Sequence, residues 1–374
     1  MLVIADDRIP FLKGALEPFT DIEYCPGDLI TPERVRHADA LLIRTRTKCN
    51  SHLLEGSDVK FIGTATIGFD HIDTLYCNQQ KIHWTSAPGC NAASVNQYIA
   101  SALVSLSRKY DFKLKDRALG VIGVGNVGSK VVRTAELLHM RVYLNDPPRV
   151  RKEGICGFLS LESILRECDI ITFHVPLSHE GADKTFHMVD EVMLSRINPG
   201  TIIMNSSRGE VVNTAALKKA RSEGKVEGLV LDVWEGEPEI DRELLSLTSI
   251  ATPHIAGYSA DGKAKGTAMV VQALSRFFNL GIDDWEPEDI PLPEKTEIMI
   301  DCKDMDVEDA LGEAILATYK VETDDQRLRS SATTFEKQRG NYPLRREFPA
   351  YTIRLKNEHS GIRQLMMKMG FRVE

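Results

Sequence analysis

Short apolar runs recur along the first quarter of the chain, and each one stops in charged, hydroxyl or glycine-bearing residues. LVIAD, IEYC, ALLIRTRTK, VKFIGTA and IHWTSAP read as strands. Between the first two, FLKGALEPF predicts a polar helix. After a turn at Pro26 and Gly27, Thr31 as cap, Pro32 as first helical residue and Glu33 in the first turn predict another helix start. Helix-compatible segments also precede VKFIGTA and IHWTSAP. This alternation predicts a parallel sheet covered by helices, with ligands beyond the carboxyl ends of the strands.

Apolar positions at helical spacing predict one long helix over 94–110 that connects two domains. A second series follows, with strand-like segments in GVIGVG, RVYLND, CDIITFHVPL, GTIIMNSSRG, VEGLVLDVW and TSIATPHIAG. A helix over 259–279 is expected to return the chain to the first domain. Proline and acid then concentrate in WEPEDIPLPE, as in a linker. Beyond it EIMIDC and YTIRLKN read as strands and VEDALGEAILATY as a helix, enough for a small α+β domain. The expected division is 1–93 with 256–285 as a substrate domain, 94–255 as a nucleotide-binding domain, and 286–374 as a C-terminal domain.

Composition narrows the function classes. At 374 residues the chain suits two or three domains, and 43% hydrophobic with 27% charged residues is ordinary for folded protein. A formal charge of −8 without a sizeable basic patch argues against nucleic acid or an anionic membrane as partner. No apolar run is long enough to cross a bilayer, and the start of the chain is too short and charged for a signal peptide. The seven cysteines, Cys25, Cys49, Cys77, Cys90, Cys156, Cys168 and Cys302, show no Cys-x-x-Cys pair, which favours reduced thiols and a cytosolic address. No metal is expected: His71 and Asp73 lack a third ligand nearby. A serine hydrolase is disfavoured by the lack of a G-x-S-x-G elbow.

Gly123, Gly125 and Gly128 form G-x-G-x-x-G between a strand and a helix, the context that gives this fingerprint its specificity. Gly123 allows the tight turn, Gly125 lets the backbone approach a pyrophosphate, and Gly128 lets helix and sheet close. Asp146 ends the next strand, where an acid binds adenosine ribose hydroxyls and repels a 2′-phosphate. NAD is therefore expected rather than NADP.

Three later strands end in Ser206-Ser207-Arg208, in the acidic loop from Asp232 to Glu237, and in Pro253-His254. Arg208 can grip a carboxylate as a bidentate fork, and His254 can exchange a proton near neutral pH. Glu237 is the preferred carboxylate to orient His254, with Asp232 and Glu235 open on spacing alone. Together they suit hydride transfer between NAD and a hydroxy acid.

GVIGVGNVG with Asp146, HVPL at 174–177, NSSRGEVVN, LDVWEGEP and TPHIAGYS, in this order, resemble the D-isomer-specific 2-hydroxy acid dehydrogenase family. The resemblance implies an α/β fold of two Rossmann-like, doubly wound domains, with Arg208, Glu237 and His254 as catalytic residues. It implies cofactor contacts from Gly123, Gly125, Asn126, Val127, Gly128, Asp146, Val175, Ser206, Ser207, Asp232 and Gly257, and a substrate contact from Tyr258. It further implies that the C-terminal α+β domain pairs two copies into a homodimer. Competing readings are a dehydrogenase for another D-2-hydroxy acid and an NAD-binding corepressor of the same fold.

The strand end Arg44-Thr45-Arg46-Thr47 remains. A hydroxy acid held only by its carboxylate needs little more than Arg208. A small phosphorylated hydroxy acid gives Arg44, Thr45, Arg46 and Thr66 a task through charge-assisted hydrogen bonds. Arg346 is a further candidate for the phosphate, weighed against a solvated surface pair with Arg345.

Overall fold

The computed structural model describes residues 1–154, 157–358 and 360–374, so Cys156 lies outside the described residues. The chain divides into two compact units, Met1–Asn91 with Ser259–Pro291, and Ala92–Tyr258 with Leu292–Glu374.

In the first unit β1 (Leu2–Asp6), β2 (Asp21–Cys25), β3 (Ala40–Ile43), β4 (Phe61–Thr64) and β5 (His83–Thr85) form a parallel sheet in the order β2-β1-β3-β4-β5. Central strands β3 and β4 are buried along their whole length, as a sheet covered on both faces requires. The helix Ala260–Phe278 buries Val270, Val271 and Leu274 against Val3, Ala5 and Leu42. Ser259 caps its start by accepting from the Gly262 amide, and Asn279 ends it in the left-handed region.

The expected helix at FLKGALEPF is absent. This stretch forms successive turns, with Phe11 at φ 63° and Gly14 at φ 87°, outside helical backbone geometry. Leu12 and Leu16 nevertheless reach the core, so the helical spacing reported burial without reporting a helix. Thr31 does precede a short helix, Pro32–Val35, but its side chain makes no capping bond.

In the second unit β6 (Ala118–Ile122), β7 (Arg141–Asn145), β8 (Ile170–Phe173), β9 (Thr201–Asn205), β10 (Val226–Leu231) and β11 (Ile250–Ala251) pair in parallel, in the order β11-β10-β9-β8-β6-β7. The order reverses between β6 and β8, and a doubly wound sheet opens its ligand crevice at such a switch. The helix Ala92–Lys109 is buried over most of its length despite its polar residues; several of these are hydrogen-bonded, while Asn96 Oδ1, Gln97 Oε1 and Ser105 Oγ have no partner among the described residues. Gln97 Nε2 donates to the Arg346 carbonyl at 3.0 Å, and Ser101 Oγ donates to that of Tyr319 at 2.9 Å.

The same unit carries β12 (Glu297–Asp301), β13 (Thr352–Lys356) and β14 (Arg372–Val373), a small parallel sheet in that order. The helices Val307–Thr318, Val321–Ser330 and Ile362–Met369 complete the C-terminal segment. Cys25, Cys49, Cys77, Cys168 and Cys302 are free and buried, and Cys90 is buried as well. Among those residues no group of histidine, cysteine and acid could hold a metal ion, and no helix is long and apolar enough to cross a membrane.

Candidate active site

The glycine turn after β6 is shaped from both sides. Gly123 adopts φ 85°, and a β-carbon there would sit 2.6 Å from the His174 carbonyl oxygen at the end of β8. A β-carbon on Gly128 would collide with the Gly123 carbonyl, so only glycine lets the helix Gly128–Leu137 close on the strand. Gly125 differs: nothing lies within 4 Å of where its β-carbon would be, so its backbone faces open space. Asp146 staples this turn by accepting from the Val124 amide at 2.8 Å and the Arg149 amide at 3.0 Å. Asn126 is exposed beside Gly125, while Val127 and Val175 are half-buried. Ser206 Oγ is buried without a hydrogen-bond partner among the described residues, a need that a bound polar ligand would meet. An open glycine face, an acid at the second strand end and an orphaned hydroxyl fit a dinucleotide.

Asn205, the last residue of β9, orders the loop that carries Arg208. Its Oδ1 accepts from the Ser207 amide and hydroxyl at 3.0 and 2.8 Å, and its Nδ2 donates to the Arg208 carbonyl at 2.8 Å. Arg208 Nη1 donates to the Ser207 carbonyl at 2.8 Å. Gly209 lies against the Trp234 carbonyl so closely that any side chain would clash, which brings the arginine loop onto the acidic loop.

In that acidic loop, Glu237 rather than Asp232 or Glu235 meets the histidine. His254 Nδ1 and Glu237 Oε2 are 2.7 Å apart, and Glu237 Oε1 accepts from the Trp234 amide at 2.9 Å. Glu235 is engaged elsewhere, with His187 Nε2 and the Thr214 amide. Asp232 organises the histidine loop. Its Oδ1 accepts from Thr252 Oγ1 at 2.6 Å and the Ile255 amide at 2.8 Å, its Oδ2 from the Ala256 amide at 2.9 Å, and its carbonyl from the His254 amide at 2.7 Å. Burial pushes the Asp232 carboxyl up, against the opposing pull of His254 and these donors. Tyr98 extends the network through its hydroxyl contact with Thr252 at 2.9 Å.

Gly257 and Tyr258 follow, both half-buried. The Tyr258 ring meets Tyr342 edge-on at 5.9 Å and the Arg339 guanidinium at 6.0 Å. Arg345 and Arg346 are 5% and 8% exposed, so neither belongs to a solvated surface pair. Asn205 and Thr252 open the motifs NSSRGEVVN and TPHIAGYS but have no role assigned by the sequence, and Tyr98 and Arg339 are not singled out by it.

In the first unit the strand end after β3 is partly tied into the fold. Arg44 Nη1 donates to the Arg8 carbonyl at 3.1 Å, and Thr47 is buried with its hydroxyl on the Gly27 carbonyl at 2.8 Å. Thr45 and Arg46 are exposed. Thr66, beyond the neighbouring β4, sits in a chain of contacts: its Oγ1 is 2.7 Å from that of Thr64, which is 3.1 Å from His71 Nε2.

Residues 91–256 match the family model described as D-isomer specific 2-hydroxyacid dehydrogenase, NAD binding domain, and 290–370 match a domain of unknown function, DUF3410. An erythronate-4-phosphate dehydrogenase of Bacteroides thetaiotaomicron is 51% identical over 354 residues, 94% of this chain and 99% of its own. One from Pseudomonas putida is 39% identical, with 99% of each chain covered. Among solved structures, a D-lactate dehydrogenase of Aquifex aeolicus in complex with NAD and lactic acid aligns with a TM-score of 0.63 at 28% identity, over 75% of this chain and 96% of that one.

Proposed function

The chain belongs to the D-isomer-specific 2-hydroxyacid dehydrogenases, enzymes that use NAD, and from that premise we propose that it oxidises 4-phospho-D-erythronate to (R)-3-hydroxy-2-oxo-4-phosphooxybutanoate. The observation that carries the chemistry is the Glu237–His254 pair on a loop held beside that of Arg208. With Nδ1 directed at Glu237, the opposite ring nitrogen, Nε2, accepts the proton of the C2 hydroxyl. The carboxylate then balances the charge that the ring gains. Arg208 holds the substrate carboxylate through its guanidinium fork. Tyr258 adds a hydroxyl contact to the substrate. When bound, NAD supplies the acceptor for the C2 hydride. Gly123, Gly125, Asn126, Val127, Gly128, Asp146, Val175, Ser206, Ser207, Asp232 and Gly257 hold that cofactor; Asp232 Oδ2, which accepts from the Ala256 amide, has a further lone pair for it.

The choice of a phosphorylated acid draws on the names of the relatives and on the cationic strand end of the first unit. Arg44, Thr45, Arg46 and Thr66 bind the phosphate there, and Arg346 is a further candidate. The reaction belongs to the route to pyridoxal 5′-phosphate, in the cytoplasm. Two copies pair through the C-terminal segment, where Met299, Leu344 and Met367 expose large apolar side chains.

The test is NAD reduction with 4-phospho-D-erythronate beside D-glycerate and 3-phosphoglycerate, with 2-oxoglutarate added to discharge tightly held cofactor. Turnover confined to the phosphorylated four-carbon acid is expected. Turnover of another acid without it would refute the substrate assignment.

A further inference from the structure

We propose that the C-terminal segment braces the catalytic loop of its own chain, with Arg345 as a positioning residue for His254. This rests on the assignment of His254 as the base. It gives a task to a segment that matches only a domain of unknown function.

The need for a brace is visible in the backbone. His254 sits at φ 56°, a left-handed conformation that a residue with a side chain keeps only where its surroundings impose it. Asp232 holds the loop from one side by accepting the Ile255 and Ala256 amides. Tyr98 and Trp234 hold Thr252, and residues beyond 320 add further contacts. Asp325 accepts from the amide of Ala251 in the edge strand β11 at 2.7 Å, and Arg329 donates to the Thr248 carbonyl at 2.7 Å. Arg345 donates through Nη2 to the carbonyl of Ala256, two residues beyond His254. Arg339 and Tyr342 flank the ring of Tyr258.

Arg345 is held in a built surrounding behind this contact. Its guanidinium is 4.5 Å from the centre of the Tyr319 ring and 5.8 Å from that of Tyr342. Both tyrosine hydroxyls donate to Asp324 Oδ2, at 2.8 and 2.6 Å, so the rings are fixed from behind. Burial pushes both hydroxyls above their ordinary range and keeps them protonated donors. Nε and Nη1 of Arg345 are buried with no hydrogen-bond partner among the described residues. A cation with one of its three nitrogens on Ala256 and the other two unpaired among the described residues is an anchor for that carbonyl, since a fold seeking only stability does better with an apolar side chain. With Ala256 clamped at both its amide and its carbonyl, His254 has little freedom to leave Glu237.

The experiment uses the full chain and compares Arg345→Lys and Arg345→Met with His254→Gln. Cofactor affinity is read by NAD titration, and kcat and KM are measured with 4-phospho-D-erythronate. A displacement of ~1 Å at a reacting group can cost ~100-fold in rate. The expected result is therefore a kcat at least about tenfold lower in Arg345→Met, with NAD affinity within about twofold of the wild type. Arg345→Lys, which retains charge and can still reach Ala256, recovers part of that loss. If Arg345→Met does not fold, Arg345→Lys decides alone, with kcat lowered about threefold or more at unchanged NAD affinity. Wild-type kcat in a folded Arg345 variant overturns the brace, as does loss of NAD affinity in step with kcat. Normal turnover in His254→Gln would instead remove the base assignment on which the brace rests.

Discussion

Glu237 Oε2 lies 2.7 Å from His254 Nδ1, while the other oxygen of the same carboxylate accepts the Trp234 amide at 2.9 Å. The carboxylate is thus fixed by backbone before it fixes the ring, and the ring in turn presents a single nitrogen to substrate. Trp234 is itself pinned, its indole Nε1 donating to the Thr252 carbonyl at 3.0 Å. Two loops from different strands, β10 and β11, are joined in one rigid unit by these contacts.

Replacing Glu237 with Gln keeps the size of the side chain and removes the charge that balances a protonated His254. General acid–base catalysis contributes about 10²–10⁴-fold, so kcat is expected to fall by roughly 10²-fold or more. NAD affinity should stay near that of the wild type. Steady-state kinetics with a parallel NAD titration check this; an unchanged kcat would remove Glu237 from the mechanism.

The glycines of the fingerprint separate folding from cofactor binding. A β-carbon on Gly128 meets the Gly123 carbonyl inside van der Waals contact, whereas one on Gly125 meets nothing within 4 Å. Gly128→Ala is therefore expected to lower the melting temperature by several degrees, in line with overpacking costs of about 1–3 kcal/mol. Gly125→Ala should melt close to the wild type yet bind NAD at least about tenfold more weakly, because the methyl group occupies the approach of the pyrophosphate. Thermal melts and NAD titrations of both variants decide it. Equal effects of the two substitutions on melting would contradict this division.

Residues whose chemistry depends on a strand end were legible in the sequence, because an apolar run followed by a polar residue reports both the element and its open end. Arg208, Glu237 and His254 are singled out in this way, and the preference for Glu237 over Glu235 as the partner of His254 matches the contact observed. FLKGALEPF failed because hydrophobic spacing reports which residues are buried, and two residues at positive φ can bury the same positions without a helix. The brace around Arg345 could not be read at all. Its rings, acid and guanidinium lie on separate elements of the C-terminal segment, and only folding brings them to Ala256. Thr47 shows the same limit on a smaller scale: within one polar stretch it alone is buried as a structural hydroxyl.

Asp146 has two tasks, which predicts a mixed outcome on substitution. It staples the Val124 and Arg149 amides and, as the proposed acid of the cofactor site, would exclude a 2′-phosphate by charge. Arg149 lies beside it, with Nη1 on the Val124 carbonyl at 2.8 Å. Asp146→Ser keeps a capping oxygen for the Arg149 amide and removes the repulsion. The kcat/KM ratio of NAD to NADP should fall by about tenfold or more, with NADP use rising as well as NAD use falling. A preference for NAD unchanged in this variant would show that Asp146 acts on the turn alone.

His174, beside the glycine turn, predicts how stability depends on pH. Its Nε2 lies 3.0 Å from Thr172 Oγ1, and burial lowers its pKa from 6.5 to about 3. Between those values the unfolded chain takes up a proton that the folded site refuses, so the unfolded state binds more protons and stability rises with pH. The contribution is fully present above about pH 6.5, is lost progressively as pH falls toward 3, and levels off below that. Its slope is at most about 1.4 kcal/mol per pH unit. Denaturant unfolding at several pH values between about 4.5 and 8 should show this slope on the acid side and none from His174 above neutrality. His174→Gln, which can still bond to Thr172 but cannot titrate, should be less stable at neutral pH or nearly equal, and visibly flatter on the acid side. The same acid slope in both proteins would assign the effect to other groups and leave His174 without a part in it.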